Sequence, residues 1–157
     1  MMERRPAGDS GPEHGSVGAD RLGHTIKRAE QALISRKSRV LREFGLTVPQ
    51  YAVLLLLSVS DGMSAAQLAR ECMVTPQTMA TVLTNLDRSG LIERSLSPLH
   101  QKVTVNSISD EGRALVARAD KAALRVEGGL AAEFTEAELS TFSDLLERAI
   151  AKLNSME

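Results

Sequence analysis

The sequence predicts a mainly α fold with one small β-hairpin, because the spacing of apolar residues changes twice along the chain. Apolar residues recur at the spacing of one helix face in residues 20–88 and again after residue 109. Between these segments, residues 102–108 alternate apolar and polar side chains, as half-buried strands do. The length of 157 residues and a composition that is 43% hydrophobic and 25% charged fit one globular domain. The predicted order is helix, helix, short helix, helix, hairpin, helix, helix.

The first element is a helix predicted over residues 20–44, with one apolar stripe and Gly45 as its stop. A helix of this length with a single apolar face commonly packs against a partner chain. Before it, residues 1–19 hold four Gly and two Pro and almost no large apolar side chain, so we expect a disordered tail. The folded domain is therefore predicted to span residues 20–157.

Several of the following helices start at residues whose side chains cap free backbone amides. Thr47, Ser64 and Thr135 each precede a Gln or Glu by three residues, which is the capping-box pattern. The helix that follows the first box, over residues 50–60, is apolar nearly all round. We therefore expect that helix to be buried.

Two long helices are predicted after the hairpin. Ser109 caps the first of them, which runs to about residue 132, and the pair Gly128-Gly129 is expected to fray or kink it. The second follows the capping box at Thr135 and runs to about residue 156. Its inward face is predicted to consist of Leu139, Phe142, Leu145, Leu146, Ala149, Ile150 and Leu153.

A short helix over residues 65–72, a tight turn and a capped helix over residues 76–88 form the pattern of a helix-turn-helix. Thr75 is the predicted N-cap of the last helix, whose apolar face consists of Met79, Val82, Leu83 and Leu86. The opposite face carries Gln77, Thr78, Thr81, Thr84, Asn85 and Arg88. Such amides and hydroxyls can read base edges in a major groove. No acidic residue, which would repel phosphates, lies between Thr75 and Leu86.

The hairpin directly after this helix makes the predicted fold a winged helix-turn-helix. Its tip is expected at residues 97–101, and Val103, Val105 and Ile108 are expected near one face of its second strand. The cations Arg94 and Lys102 would then lie beside the polar helix face. Narrow minor grooves attract cations, so the tip of the wing is expected to reach one.

The chain resembles a known family, the MarR-type winged helix-turn-helix regulators, in several strings that occur in one order. The strings are Leu46-Thr47 followed by Gln50, SAAQLAREC at 64–72, VTPQTMATVLTNLDRSGLIER at 74–94 and ISDEG at 108–112. The resemblance covers residues 20–157. It implies a DNA-binding unit over residues 47–108 and a homodimer built from helices in 20–45 and 109–157. It also implies a pseudo-palindromic site in double-stranded DNA and, often, relief of repression by a small aromatic or phenolic ligand.

The wing departs from the family at one point. The family usually carries Asp-x-Arg there, and counting back from Ile108 places His100 and Lys102 at those positions. Lys keeps the cation without the planar fork of Arg, and the orienting carboxylate is missing. Our hypothesis is that His100 contacts DNA and strengthens binding as it protonates near about pH 6 to 7. Its alternative is a solvated loop residue, which would leave binding at constant salt unchanged with pH.

Eleven residues are therefore candidates for contact with DNA, and a smaller set is expected to bind a ligand. The candidates for DNA are Ser64, Thr75, Gln77, Thr78, Thr81, Thr84, Asn85, Arg88, Arg94, His100 and Lys102. By resemblance, a ligand pocket is expected between the first helix, the second helix and the wing domain. Its candidates are His24, Arg36, Lys37, Arg39 and Tyr51, although Tyr51 also fits plain core packing. Residues 21–45 hold seven basic and two acidic side chains, which suits an aromatic carboxylate or only a solvated helix face.

Other classes of protein find little support in the sequence. One Cys leaves no intramolecular disulfide and no Cys-based zinc cluster, and the three His show no metal-binding spacing. There is no Gly-rich phosphate loop and no nucleophile elbow, so we expect neither a cofactor nor an enzyme. No signal peptide is visible, and the longest apolar run, residues 52–57, is too short to span a bilayer. A cytoplasmic protein without a membrane partner is expected.

Two alternatives to a DNA-binding regulator remain open on the sequence. The first is a protein-interaction module with the same winged fold, which would show no salt-sensitive binding to duplex DNA. The second is a redox sensor that acts through Cys72, whose other interpretation is a small buried hydrophobe. A sensor of this kind would lose its response to oxidants in Cys72→Ser and keep its affinity for DNA.

Overall fold

A computed structural model of the chain describes residues 21–96 and 103–156. The tail predicted over residues 1–19, together with His100 and Lys102, lies outside the described residues. The elements in chain order are α1 (Leu22–Leu41), a short 3-10 helix (Arg42–Phe44), α2 (Val48–Ser58), β1 (Met63–Ser64), α3 (Ala65–Glu71), α4 (Pro76–Arg88), β2 (Ile92–Leu96), β3 (Thr104–Ile108), α5 (Asp110–Ala131) and α6 (Glu136–Asn154). The predicted order of helices and hairpin is confirmed, with one strand added.

Local capping explains where these helices begin. The three predicted capping boxes are all formed, and Thr75 and Ser109 also accept hydrogen bonds from backbone amides at the starts of α4 and α5. Gly45 ends the 3-10 helix with a φ of 70°, a left-handed conformation that glycine adopts without strain.

The sheet has three antiparallel strands in the order β1-β3-β2, where a two-stranded hairpin was predicted. The added strand, β1, pairs Met63 with Asn106 and Ser64 with Val105. Two residues are too short to show an alternating pattern, so only the pairing reveals this strand. The sheet therefore ties the start of α3 to the wing.

The prediction that Val103, Val105 and Ile108 lie near one face of the second strand is wrong. On β3 the buried side chain is Asn106, 2% exposed, and Ile108 on the same side packs against the core, whereas Val103 before the strand is 40% exposed. Asn106 Nδ2 donates a hydrogen bond to the Met63 carbonyl oxygen at 3.0 Å. An amide can be buried when its polar atoms find partners, and here β1 supplies one.

The core lies where α2, α3, α4 and α5 meet the end of α1. Its fully buried side chains include Leu41, Leu54, Leu57, Leu68, Met79 and Leu86. The predicted burial of α2 holds only in part, because Tyr51, Val53, Leu54 and Leu57 are buried while Leu55 is 36% exposed. Four apolar side chains fix α4 to this core, namely Met79, Val82, Leu83 and Leu86, as predicted.

The two C-terminal helices differ from the prediction in two respects. α5 continues through Gly128-Gly129 without a break, so it does not fray there, and the Ala132 amide donates to the Gly128 carbonyl oxygen at 3.0 Å. The predicted inward face of α6 is not covered by the described chain, in which no residue of α6 is buried. Phe142 is 41% exposed and Leu153 is 63% exposed, because no other described element packs over them.

Within residues 21–96 and 103–156, no single helix is both long and apolar enough to cross a bilayer. The pair Leu22–Phe44 and Val48–Ser58 meets the length and composition criteria together, with a bend of 74° between its two parts.

Candidate nucleic-acid interface

The helix-turn-helix is formed by α3 and α4, and capping hydrogen bonds fix both helix starts. Ser64 Oγ donates to Gln67 Oε1 at 2.9 Å, and the Thr78 amide donates to Thr75 Oγ1 at 3.1 Å. The candidate residues Ser64 and Thr75 therefore already serve these caps. Pro76 occupies the first turn of α4, where its missing N–H leaves no intrahelical bond unmade.

The face of α4 opposite the core is open to solvent along its whole length. All six predicted side chains are exposed, namely Gln77, Thr78, Thr81, Thr84, Asn85 and Arg88. Thr81 Oγ1 donates to the Gln77 carbonyl oxygen at 3.2 Å, and Thr84 Oγ1 donates to that of Ala80 at 2.8 Å. These backbone bonds hold both hydroxyls close to the helix, and Gln77 and Asn85 are exposed on the same face. The result is a polar, solvent-facing rod anchored on one side by the core.

The wing begins directly behind this helix. Arg94 on β2 lies with its Nε 3.6 Å from Asp87 Oδ2, near the end of α4. Both side chains are partly exposed. Asp87 was not among the residues predicted from the sequence. A separation of seven residues does not show that Asp87 at the end of α4 and Arg94 on β2 come into contact.

A large open groove of about 1240 Å³ lies between α1, α5 and α6. Its apolar lining includes Leu33, Val40, Val126, Leu130, Phe142 and Leu146. Phe134 and Phe142 stack within it, with ring centroids 5.5 Å apart. Its charged lining consists of Arg36, Arg39, Arg125, Glu30 and Glu43.

This groove does not coincide with the predicted ligand pocket. Of the candidates for ligand binding, Arg36 and Arg39 line the groove, while His24, Lys37 and Tyr51 do not. His24 is exposed on α1. Lys37 is paired with Glu127 of α5. The groove instead includes α6 and Arg125 of α5 in its lining, neither of which belongs to the predicted pocket.

Tyr51 joins α2 to the long helix α5. It is 7% exposed, and its hydroxyl donates to Asp120 Oδ1 on α5 at 2.5 Å. Burial, followed by this hydrogen bond and the negative charges of Asp120 and Glu127, raises the pKa of Tyr51 well above its usual value. The phenol is a structural hydrogen-bond donor, which agrees with the core-packing interpretation.

Cys72 ends α3 and is half-buried against the core. Burial and then the charge of Glu71 raise the pKa of its thiol, which disfavours the reactive thiolate. Among residues 21–96 and 103–156, no group of three or more His, Cys, Asp or Glu side chains could hold a metal ion.

Comparison with known proteins places this architecture among transcriptional regulators. The family model described as MarR family matches residues 44–102. The HTH-type transcriptional repressor Rv2887 of Mycobacterium tuberculosis (strain ATCC 25618 / H37Rv) is 34% identical over 127 residues, which cover 81% of this chain and 91% of the relative. The homoprotocatechuate degradative operon repressor of Escherichia coli is 30% identical over 140 residues, covering 88% and 93%.

Solved structures of Rv2887 are similar to this chain as well. Its complex with salicylic acid gives a TM-score of 0.66 at 33% identity and covers 82% of this chain and 96% of that one. Its complex with DNA gives a TM-score of 0.64 at 32% identity, with coverage of 82% and 97%.

Proposed function

Because the chain belongs to the MarR family of winged helix-turn-helix transcriptional regulators, we propose that it is a homodimeric repressor that binds a pseudo-palindromic site in duplex DNA. In this proposal α4 enters the major groove and the wing lies beside the adjacent minor groove. One observation supports it above all: the polar face of α4 is exposed throughout, while its opposite face is fixed in the core. Phosphate contacts set the position of such a protein, and base contacts set its specificity.

The proposal is tested by isolating the genomic fragments that the protein retains and measuring duplex affinity against salt. We expect affinity to fall steeply as salt rises, because cations that neutralise phosphates release counterions. Binding that is weak and indifferent to salt would instead favour the protein-interaction module.

Gln77→Ala is expected to weaken binding to the retained site about tenfold and to reduce discrimination against base changes within it. The amide of Gln77 can donate to and accept from an adenine edge, a contact that alanine cannot replace. Titration of the specific site and of singly mismatched sites measures both effects. Gln31→Ala is the matched control, because Gln31 is exposed on α1 outside the proposed interface. Equal losses in both variants, or retained discrimination in Gln77→Ala, would exclude Gln77 as a base reader.

The homodimer is supported by the uncovered apolar stripe of α6. α6 has an apolar stripe with no buried residue in the described chain, and it borders the large groove between α1 and α5. An amphipathic helix gains most of its stability from covering such a face. A second copy would cover it with the same residues, as two-fold symmetry requires.

A small aromatic acid is the proposed effector, with Arg36 and Arg39 as its partners in the groove. Apolar walls with a few charged side chains are typical of small-molecule sites, and Arg pairs with carboxylates through two parallel hydrogen bonds. The salicylic acid complex of Rv2887 supports this choice of ligand class.

Salicylate is therefore expected to release the protein from its DNA site. Arg39→Ala should raise the salicylate concentration needed for half-release about tenfold, because a charge-assisted hydrogen bond is lost. Fluorescence anisotropy of labelled duplex measures the release. Arg118→Ala is the control, since Arg118 is exposed on α5 and does not line the groove. An unchanged salicylate response in Arg39→Ala would remove Arg39 from the site.

A further inference from the structure

One acidic residue, Asp87, lies beside the polar face of α4, and DNA binding alone does not explain its presence there. Asp87 lies three residues after Thr84 and thus one turn further along nearly the same side of the helix. It is the only acidic residue within α4. A carboxylate near phosphates would repel them, so an acid at this position weakens DNA binding unless it does something else.

The structure shows what Asp87 contacts. Its Oδ2 lies 3.6 Å from Nε of Arg94, which stands in β2 opposite Asn106 of β3. The carboxylate thus approaches the inner nitrogen of the guanidinium. The two terminal nitrogens of Arg94 can then point outward and donate to another group. The side chains of Asp87 and Arg94 are 46% and 35% exposed, so the pair borders solvent on the side where the helix and the wing meet.

We propose that Asp87 is a positioning residue for DNA binding, whose carboxylate holds Arg94 at the junction of α4 and the wing so that its guanidinium meets a DNA phosphate. This inference rests on the proposed DNA-binding function. An exposed ion pair adds little to the stability of the fold, so its value lies in the direction that it gives to Arg94. Arg94 loses fewer conformations on binding when its side chain is already held in place.

A positioning role for Asp87 predicts a change in DNA affinity opposite in sign to the change that charge alone predicts. Asp87→Asn removes a negative charge from a surface that faces phosphates, and charge alone predicts tighter binding. If Asp87 positions Arg94, the same substitution instead weakens binding, by about fivefold. In a chain that already carries Arg94→Ala, no cation is left to position, and Asp87→Asn should then leave affinity unchanged or raise it.

The experiment measures duplex affinity against salt for the full-length protein and for Asp87→Asn, Arg94→Ala, the double variant and Asp87→Glu. Arg94→Ala is expected to reduce the salt slope by about one, and Asp87→Asn to reduce it in the same direction. Asp87→Glu keeps the carboxylate and should recover most of the affinity. Asp144→Asn on α6 removes the same charge from an exposed position outside the proposed interface and should change neither quantity.

Each result decides between the two proposals. Tighter binding by Asp87→Asn in the otherwise unchanged chain, or equal effects with and without Arg94, would overturn the positioning role and leave DNA binding intact. Salt-insensitive binding by the unsubstituted protein would overturn DNA binding itself, and the positioning role with it. Thermal melting of each variant shows whether the fold is kept, and a change in salt slope without a change in melting temperature separates positioning from stability.

Discussion

Replacing Gly112 with alanine is expected to lower the free energy of unfolding by about 3 kcal/mol. Gly112 is buried near the start of α5, and a Cβ there would lie 2.1 Å from the Leu91 carbonyl oxygen and 3.0 Å from Ile108 Cγ1. The close atom belongs to the backbone, so it cannot move aside as a flexible side chain would. The Leu91 carbonyl also accepts the Ser109 amide at 3.1 Å, which joins the start of α5 to the segment before the wing. The strain therefore falls where α4, the wing and α5 meet.

Urea or thermal unfolding measures this effect, and the same helix offers a matched control. Gly128→Ala places a Cβ where no atom outside the local helix backbone lies within 4 Å. It should raise the free energy of unfolding by about 1 kcal/mol, because alanine favours helix over glycine by that amount. Equal effects of the two substitutions would show that α5 does not approach Leu91 as closely as the structure describes.

Ile150→Glu is expected to weaken self-association by at least about 100-fold, because the proposed dimer would bury its carboxylate among apolar side chains. Ile150 is 50% exposed in the single chain and lies on the same stripe of α6 as Phe142 and Leu146. The substitution should thus cost the isolated chain little. Sedimentation analysis across a concentration series measures the dissociation constant.

Ser140→Glu is the control for added charge on α6. Ser140 is exposed, and helical spacing places it opposite the apolar stripe. This variant should associate like the unsubstituted protein. A monomer at every concentration for the unsubstituted chain would refute the homodimer, whereas a dimer unaffected by Ile150→Glu would refute only the role of this face. Loss of DNA affinity in Ile150→Glu alone would link dimer formation to recognition of two half-sites.

The parts of the site that lie within one helix could be predicted from the sequence. Helical spacing separates the buried Met79 from the exposed Gln77, and the caps at Ser64 and Thr75 follow from local hydrogen bonding. Relations across elements could not be predicted in this way. The burial of Asn106, the ion pair between Asp87 and Arg94 and the bond from Tyr51 to Asp120 each join residues on different elements. Their positions depend on how those elements pack.

The α6 helix also shows which part of the fold could not be predicted from the sequence. Its apolar stripe was predicted correctly as a periodic pattern, yet its direction was not, because one chain leaves the stripe uncovered. Sequence periodicity shows that a face is apolar but not what it packs against.

The sequence by itself determined the order of the helices, their caps and the polar face of α4, because these depend on interactions between residues close in the chain. Only the tertiary structure decided that β1 joins the wing, that Arg94 meets Asp87, and that the groove lies between α1, α5 and α6. Contacts between distant segments arise from the packing of several side chains at once, and no local pattern encodes that geometry.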